Sequence, residues 1–499
     1  MKAKYIISLF LLFFSAACSE DNLFQDPATA LSDETILESK ETVSTVLMGA
    51  YTQTGSYRYL TIGEISLDVM GNDLKMTDGS YNFSTYNWLM YAYNYTQYPR
   101  VVDGWWSAYA PYLWDYAYRA IDQCNLIINA NNLPEGCEDI LAQAHGIRGY
   151  NFLNLYHLFC HSYTYAGDEG QGLFLRLTSG SADGNNVPRS NLGTSMKQII
   201  DDFTYAYEYG SETSGNYYIN KKNAALLLAR TYLDMGDYAN AQKYAEIASP
   251  VFDGSNLMSK EEYQSGFSTA NSEWLWGYNF TSETSNIYAS IPSFYHAGEF
   301  KDASSTFGTA EYGTKATYDY LVANAVDWMT GYSTVRVNWS FAKSFGKDDC
   351  RALFPFYIEE KDGLFTSKYT SKGSLGVADY PLARIAEAYL IEAECLARKS
   401  DPEALKILNT LQAKRGGTLS TAISVDEVWY ERRRELYGEG FALPDIKRLQ
   451  KPLERVGDEH WSTVKTLPAN SPRMMFPIPA EELDYNKNTT EADQNEYWK

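Results

Sequence analysis

Cysteine is too sparse and too irregularly placed in this 499-residue chain to build a framework. There are six, and once Cys18 is set aside the others are Cys124, Cys137, Cys160, Cys350 and Cys395. An odd number without a CxxC pair excludes a disulfide-stapled fold and a zinc ribbon. These residues read as small buried hydrophobes, with a Cys124–Cys137 bridge left open for an oxidising compartment. Histidine is also scarce, at five. His157 and His161 stand at i, i+4 beside Cys160, but they end a strongly apolar helix and no carboxylate holds the metalloprotease position. They read as core or pocket-edge side chains, and neither a metal nor a cofactor is expected. GxSxG, HExxH, Walker A and GxGxxG are all missing, so the sequence offers no positive sign of catalysis. Carboxylates are too many for any pair to be diagnostic of glycosidase chemistry. Positive charge is in deficit: 42 Lys and Arg against 63 Asp and Glu give a formal net charge of -21. That argues against nucleic acid and against anionic lipid as partners. The run Glu431-Arg432-Arg433-Arg434-Glu435 is bracketed by acids and reads as a salt-bridged helix.

Long apolar runs are lacking too. Tyr5 to Phe14 is almost wholly apolar, but a spanning helix needs ~20 residues. Lys2 and Lys4 precede it, and Ser15-Ala16-Ala17 lead to Cys18. That is the pattern of a cleavable export signal over residues 1–17. A cysteine directly after small residues is where acyl chains are attached in bacterial lipoproteins, so lipidation is expected at Cys18. Ser15 departs from the large aliphatic residue usual at that place. Residues 18–35, opening on Ser19-Glu20-Asp21, read as a polar tether.

What is present in abundance is aromatic: 42 Tyr and 11 Trp, more than a core requires. Helical stripes run through Val43 to Tyr51, Pro111 to Ile128, Ile140 to Phe159 and Thr194 to Tyr209. Lys221 to Ser249 is the clearest unit. Ala224, Ala225, Leu228, Ala229, Tyr232 and Leu233 form one stripe, Gly236-Asp237 a turn, and Tyr238, Ala241, Tyr244, Ala245 and Ala248 the returning stripe. Small residues facing Tyr at these spacings give the tetratricopeptide pattern. Pro381 to Gly416 is a looser copy, far off in sequence. Hairpins of this kind bury their apolar faces only by stacking. Ser424 with Glu427 forms a capping box, and Pro477-Ile478-Pro479 marks an extended tail. The expected fold is mainly α. A single domain covers 36–499, with a helical-hairpin scaffold over about 36–250 and 376–450. Two aromatic, polar excursions, about 55–104 and 251–375, are expected as loops with short strands.

The order of motifs resembles the SusD/RagB family of surface glycan-binding lipoproteins. Glu64-Ile-Ser-Leu-Asp68, Ala120 to Asn129 and the helix from Ala142 through Arg148 to Tyr150 follow the family's N-terminal pattern, with Gln143 for its usual Glu and Gly149 for its usual Ala. Asn223 to Ala245 resembles its hairpin. Asp379 to Glu394 and Glu431 to Arg448 match its later signatures, departing at Phe441-Ala442-Leu443-Pro444. Pro477 to Glu481 and Gln494-Asn495 with Tyr497 resemble its end. In that family most of these positions are scaffold.

The resemblance implies a lipoprotein on the outward face of the outer membrane, anchored by lipid alone. It would capture a glycan for a TonB-dependent, SusC-like transporter without covalent chemistry. Sugar faces suit flat aromatic rings and sugar edges suit Asp, Asn and Arg. On the first excursion the candidates are Asp73, Tyr81, Trp88, Tyr91 and Tyr93, with Asn72 and Asn87. On the second they are Trp276, Tyr278, Tyr295, Trp328 and Trp339, with Asp327, Arg336 and Asn338. Trp88 and Trp328 lead. Two other classes compete: a helical glycosidase, and an adaptor whose hairpins bind peptide or protein.

Overall fold

The structure is a computed structural model and describes residues 36–77, 85–94, 100–102, 105–107, 109–180, 186–213, 215–295, 334–354, 363–456 and 460–499. Cys18, the tether, Tyr81, Asp327 and Trp328 lie outside these residues. The principal helices are α1 (Lys40–Thr54), α2 (Tyr57–Val69), α3 (Thr85–Tyr91), α4 (Tyr109–Ile128), α5 (Glu138–Phe159), α6 (Leu192–Tyr209), α7 (Lys221–Met235), α8 (Tyr238–Ala248), α9 (Ile385–Arg398), α10 (Glu403–Arg415), α11 (Val425–Leu436) and α12 (Ala442–Arg448). Among the described residues, no helix is long and apolar enough to cross a membrane.

Local chemistry sets the helix ends. Asn220 and Asn223 cap each other's backbone amides at the start of α7, and Gly236 closes it in the left-handed region at φ 76°. Gly416 ends α10 in the same way, at φ 71°; a β-carbon is disfavoured there. Ser424 caps α11 by accepting from Glu427 N at 3.0 Å. The box is only half made, because the Glu427 carboxylate accepts instead from Ser420 Oγ (2.6 Å).

The helices stack in order. α4 packs on α5, α5 on α6, α6 on α7 and α7 on α8; the array then continues from α8 directly onto α9, which packs on α10 and α11. The two tetratricopeptide-like hairpins, separated in sequence, are thus neighbours in space. Gly149 shows why a side chain is missing at one family position: a β-carbon would sit 3.1 Å from Asp202 Cβ and from the Phe203 ring, where α5 meets α6. All five described cysteines are buried and free, so Cys124 and Cys137 are not bridged. His157 Nε2 lies 2.7 Å from the Asp234 carboxylate inside the scaffold, and the described residues hold no group of three potential metal ligands.

Two expected boundaries change. Helix α2 lies inside the first excursion and is buried on all sides, so it carries no polar–apolar period. Pro381 to Arg384, expected to open the second hairpin, belong to a strand over Tyr380–Arg384. Besides two short antiparallel pairs (Arg100–Val102 with Trp105–Ser107, and Gln171–Phe174 with Arg189–Asn191), the strands are β1 (Leu74–Met76), β2 (Trp274–Tyr278), β3 (Val335–Val337), β4 (Tyr380–Arg384), β5 (Leu453–Glu454) and β6 (Thr466–Leu467), paired antiparallel as β1–β3, β2–β4 and β5–β6.

A buried ionic network joins the later helices to the excursions. Arg384 donates to Glu273 (2.6 Å), Glu435 (3.1 Å) and Glu439 (2.8 Å). Arg415 donates to Glu273 (2.8 Å) and Glu435 (2.9 Å). Arg351 joins Asp349, Glu431 and Glu435, and Lys368 donates to Glu439 (2.7 Å). An unpaired charge here would be very costly; the three arginines and Glu273, Glu435 and Glu439 each meet at least two opposite charges, and Lys368 adds the Tyr437 carbonyl (2.7 Å) to its one carboxylate. The network grips the turn between α11 and α12. Gly438 O accepts from Tyr369 and Tyr380 hydroxyls (2.7 and 3.0 Å). Asp68, from α2, accepts from Gly440 N (2.9 Å) and Ala442 N (3.1 Å), capping α12. At the family departure, Phe441 lies under the guanidinium of Arg230, 4.8 Å from its ring centre.

Candidate functional site

The two excursions meet. β1 belongs to the first and β3 to the second, and their pairing sets Leu74 opposite Val337 and Met76 opposite Val335. The junction continues beyond the strands: Asn338 N donates to Asp73 O (2.9 Å), and Asn338 Nδ2 donates to Asn72 O (2.6 Å).

A third segment, the β5–β6 hairpin with His460 and Trp461, closes the junction. Its His460 lies between Asn338 and Tyr91. Asn338 Nδ2 also donates to His460 Nε2 (2.7 Å), which makes that nitrogen an acceptor. The ring proton therefore sits on Nδ1 and is donated to Tyr91 Oη at 2.6 Å. Burial, with the charges of Arg455, Lys75 and Lys465, pushes the His460 pKa down to about 3. The ring is neutral in any ordinary medium, and the chain Asn72–Asn338–His460–Tyr91 is a fixed strut. Arg455 anchors the hairpin, donating to the carbonyls of Val69 (3.0 Å), Tyr91 (2.8 Å) and Val464 (3.0 Å). Trp461 donates through Nε1 to Met76 O (2.7 Å) and stacks on Trp88 at 4.9 Å between ring centres, 20° from parallel. Both rings are half-buried.

Against this junction lies an open cleft of about 220 Å³, whose walls include Asn72, Asp73, Phe341, Tyr430, Arg433 and Arg434. Arg433 holds Asp73 by a two-pronged pair, Nε–Oδ2 at 2.9 Å and the second prong from Nη2 to Oδ1. Tyr430, a wall residue, is 44% exposed, so it offers apolar surface to a ligand beside fixed polar groups.

The expected residues divide into groups. Asp73 lines the cleft, and Trp88 stands half-buried beside the junction. Asn338, Tyr91 and Arg336 are brought to the junction as internal supports: all three are buried, Arg336 with its guanidinium 3.6 Å from the Phe365 ring centre. Trp339 begins the short helix that carries Phe341, and it is buried too. Tyr93 turns inward and donates to Met70 O (2.7 Å); Asn87 donates to Thr61 O (2.7 Å) within the core. Trp276, Tyr278 and Tyr295 require correction as ligand platforms. Trp276 and Tyr278 stand on β2, which is covered on both faces, and Trp276 packs its ring against Tyr150 at 4.7 Å. Tyr295 is fully buried against Tyr369 at 5.2 Å. None of the three rings presents a free face. His460, Trp461, Tyr430 and Arg433 were not singled out from sequence for this site. Trp461 met the same criterion as Trp88, an indole in a polar stretch, but it lies outside both excursions.

Comparison with known proteins follows the same outline. A family model described as "SusD family" matches residues 357–498, and one described as "Starch-binding associating with outer membrane" matches residues 23–233. A SusD-like protein of Formosa agariphila is 23% identical over 386 residues, covering 69% of this chain and 73% of that one. Among solved structures, a SusD superfamily protein from Bacteroides vulgatus superposes with a TM-score of 0.74 at 21% identity, over 92% of this chain and 99% of its own. A SusD-like carbohydrate binding protein from the same organism gives 0.69 at 24% identity, over 91% and 97%. A laminarin binding SusD-like protein gives 0.67 at 18%, over 92% and 99%.

Proposed function

The chain belongs to the SusD/RagB family, and on that premise we propose that it is a lipid-anchored nutrient-binding protein. It captures an oligo- or polysaccharide at the outer face of the outer membrane and passes it to a SusC-like, TonB-dependent transporter, without cleaving it. The observation that carries the reading is the junction of the two excursions. A strut of hydrogen bonds fixes β1 against β3, and the half-buried indoles of Trp88 and Trp461 and the Asp73–Arg433 cleft both border it. Preorganised aromatic faces beside fixed polar groups are what a sugar ring requires, because little ordering is then left to oppose binding. Trp88 remains the leading contact from the sequence reading. Trp461 joins it, and Trp328 stays with it as a candidate.

The test is a screen of the mature protein against a polysaccharide panel, by affinity electrophoresis and calorimetry. Reversible binding without turnover is expected. Trp88→Ala and Trp461→Ala should each weaken it by about tenfold or more, as for a buried aromatic anchor. Wild-type affinity in both variants would remove this junction as the capture site, and release of shorter sugars would replace capture by hydrolysis.

A further inference from the structure

The cleft beside the junction has an unequal supply of donors and acceptors. Its acidic wall is already engaged. Both Asp73 oxygens are taken by Arg433. Glu431, behind the wall, accepts from Arg351, Arg434 (2.6 Å) and Gln412 (3.0 Å). The guanidiniums are engaged along one edge only. Arg433 uses Nε and Nη2 on Asp73, and Arg434 uses Nε and Nη2 on Glu431. Nη1 of each has no partner among the described residues, and the two side chains keep 20% and 16% of their surface open. Ser340 and Ser344 are exposed residues of the same wall. Among the described residues that line the cleft, the carboxylate without an ion pair is that of Glu454, exposed at the rim, whose backbone amide is held by Asn72 Oδ1 at 3.1 Å. The side chain of Arg433 is fixed by stacking near Trp429, Tyr430 and Phe341, 4.9, 5.5 and 5.9 Å from the ring centres. A cleft of about 220 Å³ admits one sugar ring. Fixed guanidinium edges bind an oxyanion far better than a hydroxyl.

We propose that this cleft takes a sugar unit bearing an anionic group, a carboxylate or a sulfate, with Arg433 and Arg434 receiving the oxyanion and Tyr430 the ring face. The inference rests on the glycan-capture reading and assigns the chemical class of its ligand. It also places a local preference for anions on a chain of net charge -21, so selectivity must come from these short-range contacts and not from the overall field.

Calorimetry on matched probes separates the two claims. One pair is oligogalacturonate and its carboxyl-reduced, neutral counterpart; the other is a sulfated oligogalactan and its desulfated form. At least one acidic member should bind about tenfold more tightly than its neutral partner, and which one does so distinguishes carboxylate from sulfate. Arg434→Gln should lower that affinity about tenfold. Glu454→Gln removes the competing charge at the rim and should raise acidic affinity while leaving the neutral probe unchanged, a gain that misfolding cannot produce. Equal binding of acidic and neutral partners, or acidic binding that ignores both variants, overturns the inference while capture of glycan stands. Failure to bind any probe of either kind overturns it too, and if the wider polysaccharide panel is also silent the capture reading falls with it.

Discussion

Glu64 and Asp68 sit one helical turn apart on α2 with little water near them, and burial pushes the pKa of each up to about 7. For Glu64 the Tyr150 hydroxyl, donating at 3.0 Å, only partly opposes that rise. Their ordinary values are 4.5 and 3.8. Between those values and about 7 the unfolded chain has lost protons that the folded chain keeps, so rising pH removes stability across that window and no more above it. Glu435 behaves oppositely. Burial alone would raise it, but the guanidiniums of Arg415, Arg384 and Arg351 outweigh burial and hold it well below the carboxylate range. Its stabilisation is complete above its ordinary pKa and is lost as acid titrates the folded state. Glu64→Gln keeps an acceptor for Tyr150 and removes the charge. Thermal melts should show the variant level with wild type near pH 5 and more stable at pH 8 by on the order of 2 kcal/mol. A gain at pH 5 as large as at pH 8 would show that burial of charge is not the cause.

At the scale of elements, the turn between α11 and α12 is the most constrained. Gly440 has φ 84°, and a β-carbon there would overlap the Glu64 carboxylate. Gly440→Ala should cost about 3 kcal/mol, from left-handed strain plus that clash; urea midpoints within error of wild type would refute the reading. Legibility in the sequence also divides by element. The α7–α8 hairpin was readable because its period, its Asn220 cap and its Gly236 stop all agree. Helix α2 was not, because Thr61, Glu64, Ser66 and Asp68 are buried along with its apolar residues and no stripe survives. The site was half readable. Asp73 and Trp88 stood out as polar and aromatic residues on an irregular segment. Trp276 and Tyr295 stood out for the same reason and proved to be core, since composition does not say which way a ring turns. His460 meets Tyr91 across 369 positions, a proximity that no local pattern encodes.

For the whole molecule, the anchor is a separate prediction. Labelling cells with a fatty-acid probe should mark the mature protein, and Cys18→Ala should abolish the label and release the protein from the membrane fraction. A labelled Cys18→Ala protein would move the attachment elsewhere. The expected transporter would be found by co-purification with the wild-type chain. The motifs that resemble the SusD/RagB family fall largely on scaffold residues: Arg230 with Glu387 (2.6 Å) and Arg448 with Glu394 (2.8 Å) are buried pairs that hold helices together. That is why the signatures identify the architecture without naming the sugar.

The direct contact between α8 and α9 has a consequence for how such a protein diversifies. The chain leaves the helical stack at Ala248 and rejoins it at Ile385 against the helix it has just left. Topologically, everything between is a cassette inserted at one seam. The helical array itself passes from α8 to α9 across that seam, so the cassette is tied to it through the buried ions it supplies and not through continuity of the stack. Any graft at that place must still offer a partner strand to β1, an acid to Arg415 in place of Glu273, and a cation to Glu435 and Glu439 in place of Arg384.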